Sequence, residues 1–245
     1  MFIVSTGFLV SKSDTSLFVR VTNEFIIYVL VYVDDIIITG STVDSINRFI
    51  QQPHNEFSLK DMGDLYYFLG IEVTRSSTGS LHLCQRKYIR DLLDRSSLTN
   101  AKSVHTPMFM HAPTSVHLVA LKRILRHLRG TIDHGLIFRP FDRLSLVGYA
   151  DANWGLDFDD HRSTTGYCLY FGNTPVSWCS KKQQVVFRST TEAKYRSLVA
   201  ATSDITWLVS LVTKLQIHSA DSLAVWSDNS SAVMVAANSI QIQTC

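Results

Sequence analysis

Residues 25–39 of this 245-residue chain read Phe-Ile-Ile-Tyr-Val-Leu-Val-Tyr-Val-Asp-Asp-Ile-Ile-Ile-Thr. β-Branched and aromatic side chains fit a pleated surface better than a helix, and a polar pair between two such runs marks a reversal. The segment therefore predicts strand, tight turn, strand, with Asp34 and Asp35 at the hairpin tip. The apolar run Phe25–Val33 is nine residues long, whereas a membrane-spanning helix takes about 20.

The rest of the chain alternates helix and strand signals. Gly40 breaks the second strand, and Ser41 or Thr42 is placed to cap a helix carrying Val43, Ile46, Phe49 and Ile50 on one face. Pro53 falls inside that pattern and predicts a kink or a stop, because proline has no N–H to give and its ring crowds the preceding turn. Residues 66–74 and 80–85 predict a strand pair about a Ser-Ser-Thr-Gly turn, and residues 86–98 an amphipathic helix. Residues 99–114, with Pro107 and Pro113, have no period and predict a linker, followed by a helix over 115–129. Beyond Arg143 the spacing predicts strands near 144–150, 164–171 and 176–180, a long helix over 190–215, a strand at 223–227 and a last helix over 230–237. A domain boundary is expected between residues 130 and 143. The fold class expected is α/β in the broad sense (α+β), with helices packed on mixed sheets.

Composition narrows the functional classes. Apolar residues make up 46% of the chain and charged residues 18%, which argues for a folded protein over a disordered one. Cys84, Cys168, Cys179 and Cys245 stand far apart, without the paired spacing of a zinc site or a disulfide framework, and a reducing compartment is expected. The N-terminus lacks a signal-peptide pattern, so a cytoplasmic or nuclear location is expected and secretion is not. No phosphate-binding glycine loop, nucleophile elbow or His-Glu-x-x-His motif occurs, and the nine histidines form no ligand spacing with the cysteines.

Three sets of residues carry candidate chemistry, each with a structural alternative. Asp34 and Asp35 repel each other, and a hard cation such as Mg²⁺ relieves that repulsion; equally, Asp is a common turn residue. Asp151, Glu192 and Asp228 fall at a strand end, a helix start and a strand end, from which three carboxylates can converge on metal ions. The alternatives are a capping box for Ser189 and Glu192 and an N-cap for Asp228. Between residues 121 and 143 lie six basic residues, among them Lys122, Arg123, Arg126 and Arg129, and two acidic ones. Such a stretch suits phosphate contacts, or is the solvated face of a helix.

The order of these features resembles the C-terminal part of the polymerase polyprotein of copia-type long-terminal-repeat retrotransposons. The resemblance is carried by Tyr32-Val33-Asp34-Asp35, Phe57-Ser58-Leu59-Lys60-Asp61-Met62-Gly63-Asp64-Leu65 and Tyr67-Phe68-Leu69-Gly70-Ile71-Glu72-Val73. It continues through Gln85-Arg86-Lys87-Tyr88-Ile89, Thr106-Pro107-Met108, Ala150-Asp151-Ala152-Asn153-Trp154, Trp178-Cys179-Ser180-Lys181-Lys182-Gln183 and Thr191-Glu192-Ala193. The resemblance implies a reverse-transcriptase palm and thumb fragment over 1–110, a shortened connection with a basic helix over 111–140, and a ribonuclease H-like mixed-sheet domain over 141–245. It implies that Asp34 and Asp35 help hold polymerase metals, and that Asp151, Glu192 and Asp228 hold two Mg²⁺ or Mn²⁺ ions that cut the RNA strand of an RNA–DNA hybrid. The hybrid, or another nucleic acid, is the implied partner, together with other retrotransposon proteins and no membrane. Lys122, Arg123, Arg126, Arg129, Lys181, Lys182 and Arg188 are the implied phosphate contacts.

The chain also departs from the family pattern. It begins after the family's upstream metal-binding aspartate, lacks a block of several tens of residues near Met108, places Pro53 where an apolar helix residue is usual, and ends before the fourth ribonuclease H carboxylate. No processive DNA synthesis is expected. A non-catalytic nucleic-acid binder is the alternative to a nuclease, and a chain too incomplete to give a stable product is a third reading.

Overall fold

A computed structural model describes residues 2–56, 60–97, 115–140, 145–155, 160–217 and 223–237. The expected linker 99–114, Arg143, the loop residues Asp157 and Asp159, and Cys245 lie outside the described residues. By internal contacts the chain falls into two units, Met1–Asp61 with Phe141–Cys245, and Met62–Pro140. The division expected at residues 110 and 140 is drawn from the family resemblance, whereas this grouping is by contacts alone. The architecture is α+β, with three four-stranded sheets among the described residues.

The first unit opens with α1 (Phe2–Ser5), β1 (Leu9–Val10), β2 (Leu17–Val21), β3 (Ile26–Tyr32), β4 (Asp35–Gly40) and α2 (Val43–Glu56). The four strands form an antiparallel sheet in sequence order. Side chains alternate across a strand, so Ile27, Val29 and Val31 of β3 face Phe8, Phe18 and Phe49 in one core. Helix α2 does not stop at Pro53 but runs to Glu56. Only three residues of the helix follow the proline, so the backbone bond it cannot donate falls in the last turn, and Phe49 one turn earlier is held in the core. Gly40 has a local reason: a Cβ there would meet the Ile26 carbonyl oxygen at 2.5 Å.

The second unit holds β5 (Tyr67–Phe68), β6 (Ile71–Arg75), β7 (Leu81–Cys84), α3 (Arg86–Arg95), α4 (Ser115–Gly130) and β8 (Gly135–Phe138). Ile89 and Leu93 of α3 pack on Leu125 of α4. Helix α3 ends before residue 98 because the Ser96 hydroxyl bonds back to the Leu93 carbonyl at 3.0 Å and Ser97 takes a φ of 57°. Strand β8 lies in the stretch expected to be a boundary, where it completes the sheet beside β7.

The first unit resumes with β9 (Leu146–Asn153), β10 (Thr164–Phe171), β11 (Thr174–Lys182), α5 (Thr190–Lys214), β12 (Ala224–Trp226) and α6 (Ser230–Ala237). The sheet order is β11-β10-β9-β12, antiparallel among the first three, with β12 parallel to β9. Helix α5 buries Ala193, Ser197, Ala201, Ile205 and Leu208 at steps of three and four, the spacing that keeps one face on the sheet. Within the sheet Gly148 is needed for close packing, since a Cβ there would lie 2.9 Å from the Leu169 side chain. The Ser197 hydroxyl donates toward the Asp151 carbonyl at 2.6 Å, with the Gly166 carbonyl at 2.9 Å. Asp204 accepts from the Tyr167 and Ser177 hydroxyls at 2.7 and 3.0 Å, fixing the middle of α5 over β10 and β11. The outer side of the same helix meets the N-terminal segment. The Trp207 indole donates to the Ser13 carbonyl at 2.9 Å, and the Tyr28 hydroxyl donates to the Leu215 carbonyl at 2.6 Å. Among the described residues no helix is long and apolar enough to cross a membrane.

Candidate functional site

The hairpin forms at the predicted place. Register pairs Tyr32 with Asp35, leaving Val33 and Asp34 as the two turn residues. A two-residue connection needs a positive φ to match strand twist, and Val33 supplies it at 51° although a β-branched side chain is strained there. Val33 is 83% exposed, and Asp34 and Asp35 are exposed beside it. The tip presents two carboxylates to solvent.

The second acidic set is built by topology. Asp151 sits near the end of β9 and Asp228 just past β12, and the parallel pairing of these two strands carries both residues to one edge of the sheet. Helix α5 starts over the same edge. Ser189 caps it, accepting the Glu192 backbone N–H at 3.2 Å, which is half of the expected capping box. Gln183 ties the first turn down, donating to the Ala193 carbonyl at 3.0 Å and to Thr165 at 2.9 Å.

What meets Asp151 and Asp228 is Lys194. Its ammonium lies 2.8 Å from Asp151 Oδ1, and 2.6 and 2.8 Å from Asp228 Oδ1 and Oδ2. The two oxygens of Asp228 share one side of the ammonium and Asp151 takes another, so the lysine donates to both carboxylates at once. The lysine side chain is 14% exposed while the carboxylates are 67% and 68% exposed, so the cation is seated beneath two solvated anions. The hydrogen bond from Lys194 holds the Asp151 carboxyl below its usual range, against partial burial that opposes it and with help from the Ala152 backbone N–H. Lys194 is pushed above the usual lysine value by its bonds to Asp151 and then Asp228.

Glu192 does not join this cluster. Residues two apart on an α-helix stand about 200° apart around the axis, so Glu192 and Lys194 cannot both face Asp151. Among the described residues no three His, Cys, Asp or Glu side chains gather as metal ligands. The side chains at the sheet edge do not fit a divalent cation as they stand. Mg²⁺ takes oxygen ligands in a near-octahedral shell, and here the shared position is filled by an ammonium. A divalent ion roughly 4 Å from Lys194 would meet about 8 kcal/mol of repulsion at an effective dielectric of 20.

Asp228 is not the N-cap of α6. Asn229 is, its side-chain oxygen accepting the Ala232 N–H at 2.7 Å. Lys181 and Arg188 are exposed in the first unit, and Lys182 pairs with Asp160 at 2.9 Å. Lys122 and Arg123 are exposed on α4 of the second unit, with Arg126 and Arg129 half-buried on the same helix. Lys194 was not singled out by sequence reasoning. The available signal was the phase of α5: Lys194 falls within the face defined by Ala193, Ala201 and Ile205, and a charge on a buried face needs a partner.

Comparison with known proteins adds the lineage. A family model described as reverse transcriptase (RNA-dependent DNA polymerase) matches residues 1–110. The chain is 41% identical over 285 residues to the retrovirus-related Pol polyprotein from transposon RE1 of Arabidopsis thaliana, covering 98% of this chain and 19% of that protein. To the corresponding polyprotein from transposon RE2 of the same plant it is 40% identical, covering 98% and 20%. An uncharacterized mitochondrial protein of Arabidopsis thaliana is 32% identical over 225 residues, covering 74% of this chain and 93% of the relative. No solved structure matches. The chain spans about a fifth of the length of the two polyproteins. With this similarity over nearly every residue and a reverse transcriptase match at its start, the chain belongs to the retrotransposon polyprotein family that carries a reverse transcriptase.

Proposed function

We propose that this chain is a reverse transcriptase–ribonuclease H fragment that holds an RNA–DNA hybrid without cutting it. The lineage supports the first half of that reading. The second half of the reading draws on the mixed sheet β11-β10-β9-β12, with α5 across it and two aspartates at one edge, which suits the ribonuclease H-like domain expected after residue 143. The observation that carries the non-cutting part is the Lys194 ammonium bonded to both Asp151 and Asp228. Two-metal hydrolysis needs cations clamped on carboxylates at that position, where the lysine now sits. What remains is recognition. Exposed Lys181 and Arg188 of the first unit suit phosphate contacts, and so, taken by itself, does the basic helix α4 of the second; such contacts fix a protein on a duplex through charge and shape with little sequence reading. The hairpin tip with Asp34 and Asp35 is retained from the polymerase palm, and no processive synthesis is expected from it.

The test is a labelled RNA–DNA hybrid incubated with the full chain in Mg²⁺ or Mn²⁺, and separately in EDTA. Binding that weakens steeply with salt, with the hybrid intact under all three conditions, is the expected result. Metal-dependent cleavage that disappears in Asp151→Asn overturns the non-cutting reading, and absence of salt-sensitive binding overturns the recognition.

A further inference from the structure

We infer that Lys194 is a built-in cation standing where a divalent ion would sit, and that the charge at this one position decides whether the Asp151–Asp228 pair takes a metal. The inference rests on contact geometry and not on the hybrid-binding reading. Two carboxylates whose backbones are held by parallel strands would repel each other if left alone. Both are instead turned onto a single ammonium; among the described residues Asp151 Oδ1 also accepts the Ala152 N–H at 2.7 Å, and Asp228 bonds only to Lys194.

The stem of Lys194 is covered, and its ammonium meets the carboxylates at the protein surface. Its side chain is 14% exposed, and it is anchored by the first turns of α5, where Ser189 caps the helix and Ala193, fully buried, sets its closeness to the sheet. The strand pairing sets the place between the two carboxylates, and this sequence puts an ammonium in it. A carboxylate at position 194 would project from the same point of the helix toward the same two aspartates, giving three oxygen-bearing side chains around one place. That is the donor set a hard divalent cation prefers.

The test titrates Mn²⁺ into the full chain, following loss of the free-ion electron paramagnetic resonance signal, for the wild type, Lys194→Glu, Lys194→Glu with Asp151→Asn, and Lys194→Met. The wild type is expected to show no saturable site that depends on Asp151. Lys194→Glu is expected to gain one saturable equivalent, at least tenfold tighter than any wild-type binding, and to melt at a higher temperature with Mn²⁺ than without it. Adding Asp151→Asn is expected to remove both effects. Lys194→Met keeps an apolar stem and drops the charge, so it serves if the glutamate variant does not fold, and a tenfold gain in Mn²⁺ affinity over wild type is expected there too. A wild-type Mn²⁺ site abolished by Asp151→Asn overturns the inference, and so does a folded Lys194→Glu that gains none. Hybrid binding in EDTA, measured on the same samples, reports on the proposed function alone: its failure with a gained Mn²⁺ site sinks that reading and leaves this one standing.

Discussion

The two acidic pairs of this chain reach the surface by opposite routes. Asp34 and Asp35 are neighbours in sequence, set at the tip of a hairpin by the strands that flank them. Asp151 and Asp228 are far apart in sequence and meet only because β12 lies parallel to β9. The first pair faces solvent, next to a strained Val33. The second is bonded to a lysine seated beneath it. The hairpin tip takes its shape from the ladder of the two strands that flank it. A pair assembled by tertiary packing depends on every layer under it, and its chemistry changes when one residue in the overlying helix changes.

The largest break in this comparison should come from the packing under the second pair. Ala193 is fully buried against Ala152 and Phe187, at the point where α5 first meets the sheet. In Ala193→Leu the added carbons have nowhere to go, and overpacking of this kind costs about 1–3 kcal/mol. Thermal melting should drop accordingly. The lifted helix should also separate Lys194 from Asp151, so that replacing Lys194 by Met in this background changes stability less than in the wild type. An undiminished effect of Lys194→Met would mean that the pairing does not depend on the helix seat.

How much of this was visible in the sequence follows the same division. The hairpin, β10, α5 and α6 are written in local pattern: β-branched alternation, a Ser cap and a three-four stripe. They appear at or close to the expected residues. The edge shared by Asp151 and Asp228 was also within reach, because both aspartates follow strand signals. Glu192 was chosen on its motif and its place in the first helical turn. Its partner in that turn is its own cap, Ser189, and the helical phase that assigns Lys194 to the sheet depends on where the cap starts the helix. The ion pair itself joins residues 34 apart in sequence through a parallel strand pairing, which no window of local residues encodes. Strand β8 was missed for a related reason, since Gly135–Phe138 is too short to show a period and is defined by its ladder with β7.

A smaller effect should be seen at the hairpin. Val33 holds a φ of 51° with a side chain that disfavours it, whereas Asn tolerates that region. Val33→Asn should stabilise the chain by about 1 kcal/mol, because strain of this kind costs at least that much and exposure of Val33 means little packing is lost. Melting temperature should rise, while Mn²⁺ titrations at position 194 stay as they were. A fall in stability would show that the ladder between β3 and β4 relies on valine at the turn.

The smallest effect is the pH dependence carried by Lys194, and its sign separates the ion pair from simple burial. Asp151 binds its proton less tightly in the folded chain than in the unfolded one, because Lys194 bonds to the ionised form. Its contribution to stability is therefore present above the ordinary carboxylate range and is lost as pH falls through the lowered value. Lys194 is shifted the other way by the same bonds, so its contribution is complete below the ordinary lysine value and is lost as pH rises through the raised one. Both carboxylates are more than a third exposed, so solvent screening keeps the whole effect under about 1 kcal/mol. The difference in unfolding free energy between wild type and Lys194→Met, measured by denaturant titration across pH, should form a plateau between those two limits and shrink toward zero at each end. A difference that stays constant into acid would mean that the methionine changes packing alone, and that the contacts to Asp151 and Asp228 hold no charge in balance.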